Sequence, residues 1–389
     1  MMTPRERFKA VIHFRKPDEL PWCELLEDET VMRWIDEGLP LNTLLTPEWV
    51  FKEGGPLTTF ASLKINAYPY FGCQNLFNGC SVPIDLGPIP RYTHRILRED
   101  ARYQERLTSL GATIRRSKHA KYTVYSMPMF VEFPVKDRKT WEECQNRLDP
   151  ETPGRYPKEW QDEAYAKVFE NYQAGPTNMW VSGFYGFGAQ LMGIPAFITG
   201  FYRDPELMRE MASHWEHYTL EIIRDAVETL KDRIDFVFWW EDLAEKHGPN
   251  ISPKIYKEFF LPHYKNVTAL LKKNGIDRIM MDSDGNTNAL LDMVIEAGIT
   301  GHWPLEANSG MDALTLRKKY GERLFLAGNL DKRELMKGGE AMRIEVSSKL
   351  PTLKESGGYI PTMDHGVPSE FSLKNFMEYA EYMKKQLPY

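Results

Sequence analysis

Five short apolar stretches in the second half of the chain each end in polar residues, and this repeat restricts the possible folds severely. The clearest example is residues 278–286, RIMMDSDGN, in which an apolar run leads directly into Asp282 and Asp284. A short apolar run bounded by turn residues is typical of a strand that is buried on both faces. The two acids are two positions apart, so both lie on one side of an extended chain.

The other four stretches end in the same way. They are DFVFWWED with Glu241 and Asp242, GHWPLE with Glu306, LFLAGNLD with Asn329 and Asp331, and GYIPTMDH with Asp364 and His365. Helical patterns separate them, and such strand–helix alternation predicts a parallel sheet. The number of strands favours an α/β fold of the TIM (β/α)8 barrel type over an open doubly wound sheet. The carboxyl ends of barrel strands meet at one rim, where the active sites of such barrels lie.

We expect a single domain over residues 1–389, with an antiparallel β insertion at about 92–135. In that insertion THRILRED, GATIRRSK and KYTVYSM resemble short alternating strands around a turn at Gly111. Residues 179–187, MWVSGFYGF, predict a strand followed by a flexible loop. The glycines of this loop do not form a dinucleotide motif, because Leu191 occupies the third glycine position. Phe184 and Tyr185 on the loop are candidates for lining a pocket.

Composition excludes several classes of partner. The 389 residues carry a formal net charge of −6 without a long block of one sign, so we expect no nucleic-acid or membrane-surface partner. The sequence shows neither a signal core nor a bilayer-spanning apolar run. Its four scattered cysteines form no CxxC pair, which favours a reducing compartment. We therefore expect a cytoplasmic protein.

Four stretches resemble the uroporphyrinogen decarboxylase superfamily. They are TPRERFKAVIHFRKPDELP, EDLAEKHGPNISPKIYKEFFLPHYKNV, GNLDKRELMKGG and GGYIPTMDHGVP. The resemblance covers most of the chain and is weakest between about 40 and 175. It implies a TIM barrel with a C-terminal cleft, and one of two activities: decarboxylation of a tetrapyrrole or methyl transfer involving a corrinoid protein. It also implies a possible homodimer.

The decarboxylase branch of this superfamily has an arginine-rich motif just after the first strand, which holds substrate carboxylates. Here the corresponding residues 23–30 read CELLEDET and contain four acids. Carboxylates repel substrate carboxylates, and burial strengthens the repulsion. A decarboxylase acting on a tetrapyrrole or another carboxylate is therefore our second hypothesis.

The methyltransferase branch holds zinc with a His-x-Cys pair and a further Cys after the last strand. By resemblance, Asp282 and Asp284 occupy the positions of that pair, and Asp364 or His365 falls near the further Cys. These four residues could bind a divalent metal such as zinc, through oxygen and imidazole ligands. They could equally form a metal-free acid–base set, because crowded carboxylates raise one another's pKa. Both alternatives stay open.

Our first hypothesis is a methyltransferase that moves a methyl group between a small O- or N-methylated substrate and a corrinoid protein. The catalytic candidates are Asp282, Asp284, Asp364, His365 and Glu241, and the substrate-binding candidates are Phe184, Tyr185, Trp239, Glu306 and Asn329. A third hypothesis is a non-catalytic binding protein on the same barrel. Locally, Asp331 is expected to cap a helix that begins at Lys332, and His302 to be a core histidine with a partner.

Overall fold

The computed structural model describes residues 1–40, 67–75, 80–118, 128–160 and 162–389. Its strands are β1 (Cys23–Glu24), β2 (Gln74–Asn75), β3 (Cys80–Ser81), β4 (Arg95–Glu99), β5 (Tyr103–Leu107), β6 (Thr113–Ser117), β7 (Met129–Glu132), β8 (Thr177–Ser182), β9 (Phe236–Trp240), β10 (Ala244–Glu245), β11 (Gly248–Pro249), β12 (Ile279–Asp282), β13 (Gly301–Trp303), β14 (Phe325–Ala327) and β15 (Tyr359–Ile360).

The helices alternate with the strands through most of the chain. They are α1 (Pro4–Ile12), α2 (Asp28–Asp36), α3 (Tyr68–Phe71), α4 (Arg138–Gln145), α5 (Glu163–Asn171), α6 (Phe184–Met192), α7 (Ile194–Arg203), α8 (Pro205–Leu230), α9 (Pro253–Ile255), α10 (Leu261–Lys273), α11 (Leu291–Glu296), α12 (Ala313–Tyr320), α13 (Lys332–Leu335), α14 (Gly339–Ser356) and α15 (Leu373–Gln386). A π-helical turn, Tyr256–Phe260, joins α9 to α10. Among the described residues, no helix is both long and apolar enough to cross a membrane.

Seven strands form one sheet in the order β15-β14-β13-β12-β9-β8-β3, and all neighbouring pairs are parallel. The strand β1 pairs in parallel with β2, and its Cys23 N–H donates to the Pro361 carbonyl beyond β15 at 3.1 Å. The mostly parallel α/β sheet is therefore confirmed. The residues that link β2 to β3 lie outside the described part, so closure of the ring stays a prediction.

Alternate residues of β9 face opposite sides of the sheet. The ring of Trp239 packs on Tyr264 of α10, with centroids 4.8 Å apart. The ring of Phe238 packs instead on Trp180 of β8 at 4.4 Å and on Trp303 of β13 at 6.2 Å. The side that carries Phe238 is therefore the inner face of the sheet, and the side that carries Trp239 faces the helices.

The predicted antiparallel insertion is present as a four-stranded sheet in the order β4-β5-β6-β7. Two of its strands, β4 and β6, coincide with the predicted THRILRED and GATIRRSK segments, while β5 and β7 are additional. The predicted KYTVYSM strand, at 121–127, lies outside the described residues. Arg98 on β4 is largely exposed and Arg115 on β6 pairs with Glu105, which agrees with a solvated face rather than an anion site.

The prediction of a flexible loop after β8 is wrong, because the chain forms helix α6 from Phe184 onward. The helix contains glycines because other parts of the protein pack closely on it. A Cβ at Gly186 would lie 2.5 Å from the Trp240 ring and 2.6 Å from the Glu241 carbonyl oxygen. Glycine was therefore needed for close packing at this position rather than for loop flexibility.

Candidate active site

Four strands that are neighbours in the sheet end in one row of side chains at its carboxyl edge. Ser182 of β8 pairs with Trp240 of β9, Trp240 with Asp282 of β12, and Asp282 with Trp303 of β13. Trp240 lies two residues after Phe238, so this inner row faces the same side as Phe238. Asp282 thus lies between two indole-bearing strand ends.

Asp282 is a buried acid that the scaffold does not use. Asp282 is 8% exposed, and its carboxyl group has no hydrogen bond to any residue that the structure describes. Burial, followed by the charges of Asp284 and Asp242, raises its pKa well above the ordinary value of an aspartate. Burial therefore favours the neutral, protonated form of this carboxyl.

Asp284 and His365 form an ion pair at the same edge. The Nε2 atom of His365 lies 3.4 Å from Oδ1 of Asp284. The His365 ring also stacks on Trp303, with centroids 6.0 Å apart. Burial on its own would lower the pKa of His365, but the hydrogen bond and charge of Asp284 outweigh burial and raise it. The pairing therefore favours the protonated form of the imidazole.

Asp242, one of the two acids that end the DFVFWWED stretch, is a further acid at this edge. Its backbone is left-handed, with φ +76°, a conformation that costs a non-glycine residue about 1 kcal/mol. The backbone on each side of it is fixed, since Glu241 N–H donates to the Asp282 carbonyl and Leu243 N–H to Ser283 Oγ, both at 2.9 Å.

The Asp242 side chain also has no hydrogen bond to a residue in the described part of the chain. Burial, followed by the charge of Asp284, raises its pKa to about 7. We call Asp242 and Asp282 the edge acids. Alternation along β9 places Glu241 on the helix side and Asp242 on the inner side, but only once the structure has shown that Phe238 faces inward.

The loop after β12 is held tightly against the neighbouring loops. Gly285 has φ +73°, and a Cβ there would lie 2.6 Å from the Ala244 carbonyl oxygen. Its N–H donates to Oε2 of Glu306 at 2.9 Å, and Ser309 Oγ donates to the same oxygen at 3.0 Å. Glu306, predicted to bind substrate, thus joins two rim loops and adds negative charge beside the edge acids.

Glu241, predicted to be catalytic, is instead buried beneath the N-terminus of α6. Its Oε1 accepts from Phe184 N–H at 3.0 Å and from Trp239 Nε1 at 3.2 Å, and its Oε2 accepts from Gly186 N–H at 2.8 Å. Burial raises its pKa to about 8 despite these donors. Glu241 therefore positions α6 and the strand end rather than facing the inner row.

Asp364 and Asn329 also hold the scaffold. Asp364 accepts from the N–H groups of Lys332 and Ala307, both at 3.2 Å, and burial raises its pKa. Asn329, with φ +74°, accepts from Ala313 N–H at 3.0 Å and donates to the Leu305 and Met311 carbonyls at 3.0 and 2.7 Å. Every polar side-chain atom of these two residues thus has a hydrogen-bond partner in the scaffold.

The aromatic residues that were predicted to line the pocket face the helices. Trp239 and Phe184 both pack on Tyr264, and the Tyr185 ring packs on Phe197 at 5.5 Å. The inner face carries Trp180, Trp240 and Trp303 instead. Residues 239 and 240 are both tryptophan, so the sequence could not show which one points inward.

The predicted metal-ligand set is not formed. In the described ranges, no group of three or more His, Cys, Asp or Glu side chains is placed to hold a metal ion. Asp364 is turned toward two backbone amides, and His365 Nε2 faces Asp284. The geometry therefore fits the acid–base alternative for Asp282, Asp284 and His365 better than it fits a metal centre.

Two local predictions are confirmed. Asp331 caps α13 by accepting from Arg333 N–H at 2.9 Å. His302 is fully buried, with Nε2 2.7 Å from Thr287 Oγ1, and burial lowers its pKa to about 4. His302 is therefore a neutral core histidine and not part of the site.

A parallel sheet flanked by helices, with acids and an imidazole at its carboxyl edge, is the arrangement found in barrel-type α/β enzymes. A family model described as uroporphyrinogen decarboxylase (URO-D) matches residues 185–386. The match covers more than half of the chain, and the chain belongs to the uroporphyrinogen decarboxylase family.

Individual relatives are distant. A uroporphyrinogen decarboxylase from Pelodictyon phaeoclathratiforme is 22% identical over 189 residues, which is 48% of this chain and 51% of that one. One from Legionella pneumophila subsp. pneumophila is 27% identical over 149 residues, 38% of this chain and 40% of the relative. The chain spans about half the length of the curated relatives it matches. A solved methyltransferase from Methanosarcina mazei superposes with a TM-score of 0.58 at 15% identity over 99% of both chains, so the two share a fold.

Proposed function

We propose that this protein is a methyltransferase, built on a closed eight-stranded barrel, that moves a methyl group from a small O- or N-methylated substrate to a corrinoid protein. The observation that carries the proposal is the buried Asp282 carboxyl, which the scaffold leaves unused beside the Asp284–His365 pair. Family membership and the fold shared with a methyltransferase support the same class.

The residues at the edge can supply the proton that this reaction needs. When a methyl group leaves an ether, the C–O bond breaks and its electron pair stays on oxygen, which must take up a proton. Burial favours the protonated form of Asp282, and the neighbouring Asp284 favours the protonated form of His365. Either group can neutralise the departing oxygen. The corrinoid of the partner protein would supply the nucleophile that accepts the methyl group.

The indole rings of the inner row have a second role. Trp240 and Trp303 bear apolar surfaces on both sides of Asp282 in the sheet. Apolar walls exclude water and strengthen electrostatic interactions at the acid. We propose that the half-buried Trp240 holds the methyl group in place and faces the corrinoid protein across the carboxyl edge, while the buried Trp303 excludes water.

Decarboxylation is the second candidate, because the curated relatives are uroporphyrinogen decarboxylases. Glu24, the residue that ends β1, argues against decarboxylation. Glu24 is fully buried and accepts from Trp22, Thr362, Met363 and Tyr379, and burial raises its pKa to about 7. The scaffold thus occupies Glu24 fully, and the end of β1 supplies an acid at a position where binding of a substrate carboxylate would need a cation.

The test is a methyl-transfer assay with a reduced corrinoid protein and a panel of O-methyl and N-methyl donors, followed by the visible spectrum of the corrinoid. We expect transfer with the unchanged protein and at least about a hundredfold slower transfer with Asp282→Asn. Asp312→Asn is the matched control. It makes the same change of side chain at an aspartate whose role is to cap helix α12. Absence of transfer from every donor, together with CO2 release from a propionate-bearing tetrapyrrole, would establish the decarboxylase instead.

A further inference from the structure

The edge acids differ from the other carboxyls that end strands. Glu24, Glu241 and Asp364 each accept two or more hydrogen bonds from the scaffold. Asp242 and Asp282 accept none from any described residue, although Asp282 is more than nine-tenths buried. A buried carboxyl without a hydrogen-bond partner destabilises the folded protein, because the hydrogen bonds that it made to water are not replaced. Such a group is maintained where a ligand supplies the missing donor.

The charge around the edge acids is negative. Asp284, Glu245 and Glu306 all act on Asp242, in the direction that raises its pKa. His365, whose charge acts on Asp242 in the opposite direction, is already paired with Asp284. A site with more carboxylates than cations attracts a positively charged ligand and repels an anion.

The inner face beside these acids is aromatic. Trp180 and Trp240 are half-buried, whereas Trp303 is only 3% exposed and stacks on His365. Cations that carry methyl groups bind to the faces of aromatic rings, and tryptophan binds them best. Carboxyls with unfilled hydrogen-bonding capacity and indole faces therefore meet at one edge of the sheet.

We infer that the methyl donor is a protonated N-methylamine, whose N–H group donates to the edge acids while its methyl groups lie against Trp240. This inference rests on the proposed methyl transfer and narrows its substrate class. A quaternary ammonium has no N–H to donate, and an ether oxygen can only accept. Of the three donor types, only a protonated amine offers both a positive charge and a hydrogen for a carboxylate.

The chemistry of this donor balances without an added acid. The C–N bond breaks, its electron pair stays on nitrogen, and the methyl group passes to the nucleophile of the corrinoid protein. The ammonium thereby becomes a neutral amine that keeps its own hydrogen. For this substrate the edge acids bind and orient the donor as carboxylates, and the proton they lose on binding goes to solvent.

The test is equilibrium binding by calorimetry, without any corrinoid protein. The ligands are trimethylammonium, tetramethylammonium and methyl tert-butyl ether, the last a neutral compound of similar shape. We expect trimethylammonium to bind at least about tenfold more tightly than the other two. Asp282→Asn should remove that preference, and Asp312→Asn should retain it. Circular dichroism and urea unfolding establish that each variant is folded.

The outcomes separate this inference from the proposed function. Equal or tighter binding of the ether, or unchanged trimethylammonium binding in Asp282→Asn, overturns the substrate class. If ethers then donate methyl groups to a corrinoid protein, methyl transfer stands without this inference. If trimethylammonium binds as expected but no corrinoid protein is methylated, the ligand class stands and the proposed function fails.

Discussion

The imidazole Nε2 of His365 lies 3.4 Å from Oδ1 of Asp284, and this contact joins the loop after β15 to the loop after β12. The two residues are far apart in the chain, but parallel strands bring their carboxyl ends to the same edge. Among the described residues, no other two predicted catalytic residues form an ion pair with each other. Changing one member of this pair therefore tests the electrostatics of the site.

Removing the charge of Asp284 should lower the pKa of His365. In the native protein, Asp284 outweighs the effect of burial and holds the pKa of the imidazole above its usual value. In Asp284→Asn, burial and Lys332 remain, and both act to lower it. The measurement is an NMR titration of the His365 ring, assigned with His365→Gln. An unchanged pKa in Asp284→Asn would contradict the pairing, and Asp312→Asn should leave the titration as it is.

Asp242→Asn should stabilise the protein at neutral and alkaline pH. The pKa of Asp242 is about 7 in the folded protein, against about 3.9 in an unfolded chain. The folded state therefore binds this proton more tightly, and its contribution to stability is lost as pH rises from about 4 to about 7. Asparagine tolerates the left-handed backbone and does not ionise.

The measurement is urea unfolding of both proteins at several pH values. The advantage of Asp242→Asn in free energy of unfolding should grow from about pH 4, reach about 1–3 kcal/mol near pH 7 and then level off. A constant difference across this range would show that Asp242 does not titrate as described. Slower methyl transfer is expected in the same variant, because functional sites often retain groups that reduce stability.

Gly285→Ala should destabilise the protein more than Gly275→Ala. Both glycines have a left-handed backbone, with φ +73° and +84°. A Cβ at position 285 would approach the Ala244 carbonyl at 2.6 Å, whereas position 275 has no heavy atom within 4 Å. We expect a loss of about 1 kcal/mol at 275, from backbone strain alone, and about 3 kcal/mol or more at 285. Equal losses in urea unfolding would show that the loop after β12 is not packed as described.

Asp364→Ala should lower stability through the loss of two hydrogen bonds. Its carboxylate accepts from Lys332 and Ala307, which belong to the loops after β14 and β13. Losing both should reduce the free energy of unfolding by about 1–3 kcal/mol, and Asp364→Asn, whose side chain has one acceptor oxygen, should lie in between. The same loss for the alanine and asparagine variants would argue against the two separate contacts.

The arrangement of strands could be predicted from the sequence, because it depends on local patterns. Apolar runs that end in turn residues, such as the one before Asp282, specify buried strands, and their alternation with helices specifies a parallel sheet. The shared edge of Asp284 and His365 follows from this topology without knowledge of any contact.

The use of each polar side chain could not be predicted, because it depends on contacts between distant parts of the chain. Asp364 and Asp282 look alike in sequence, but only Asp364 meets backbone amides, from Ala307 and Lys332. The choice between Trp239 and Trp240 depends on the phase of β9, which adjacent tryptophans do not reveal. Helix α6 was missed because its glycines serve packing against Trp240 and Phe197.

The most direct test of the account is a single-turnover reaction of the protein with 13C-methyl-labelled trimethylammonium and a reduced corrinoid protein, followed by 13C NMR of the separated corrinoid protein. We predict that the labelled methyl group appears on the corrinoid with the unchanged protein and with Asp312→Asn, but not with Asp282→Asn. Transfer by Asp282→Asn at the rate of the unchanged protein would contradict the account.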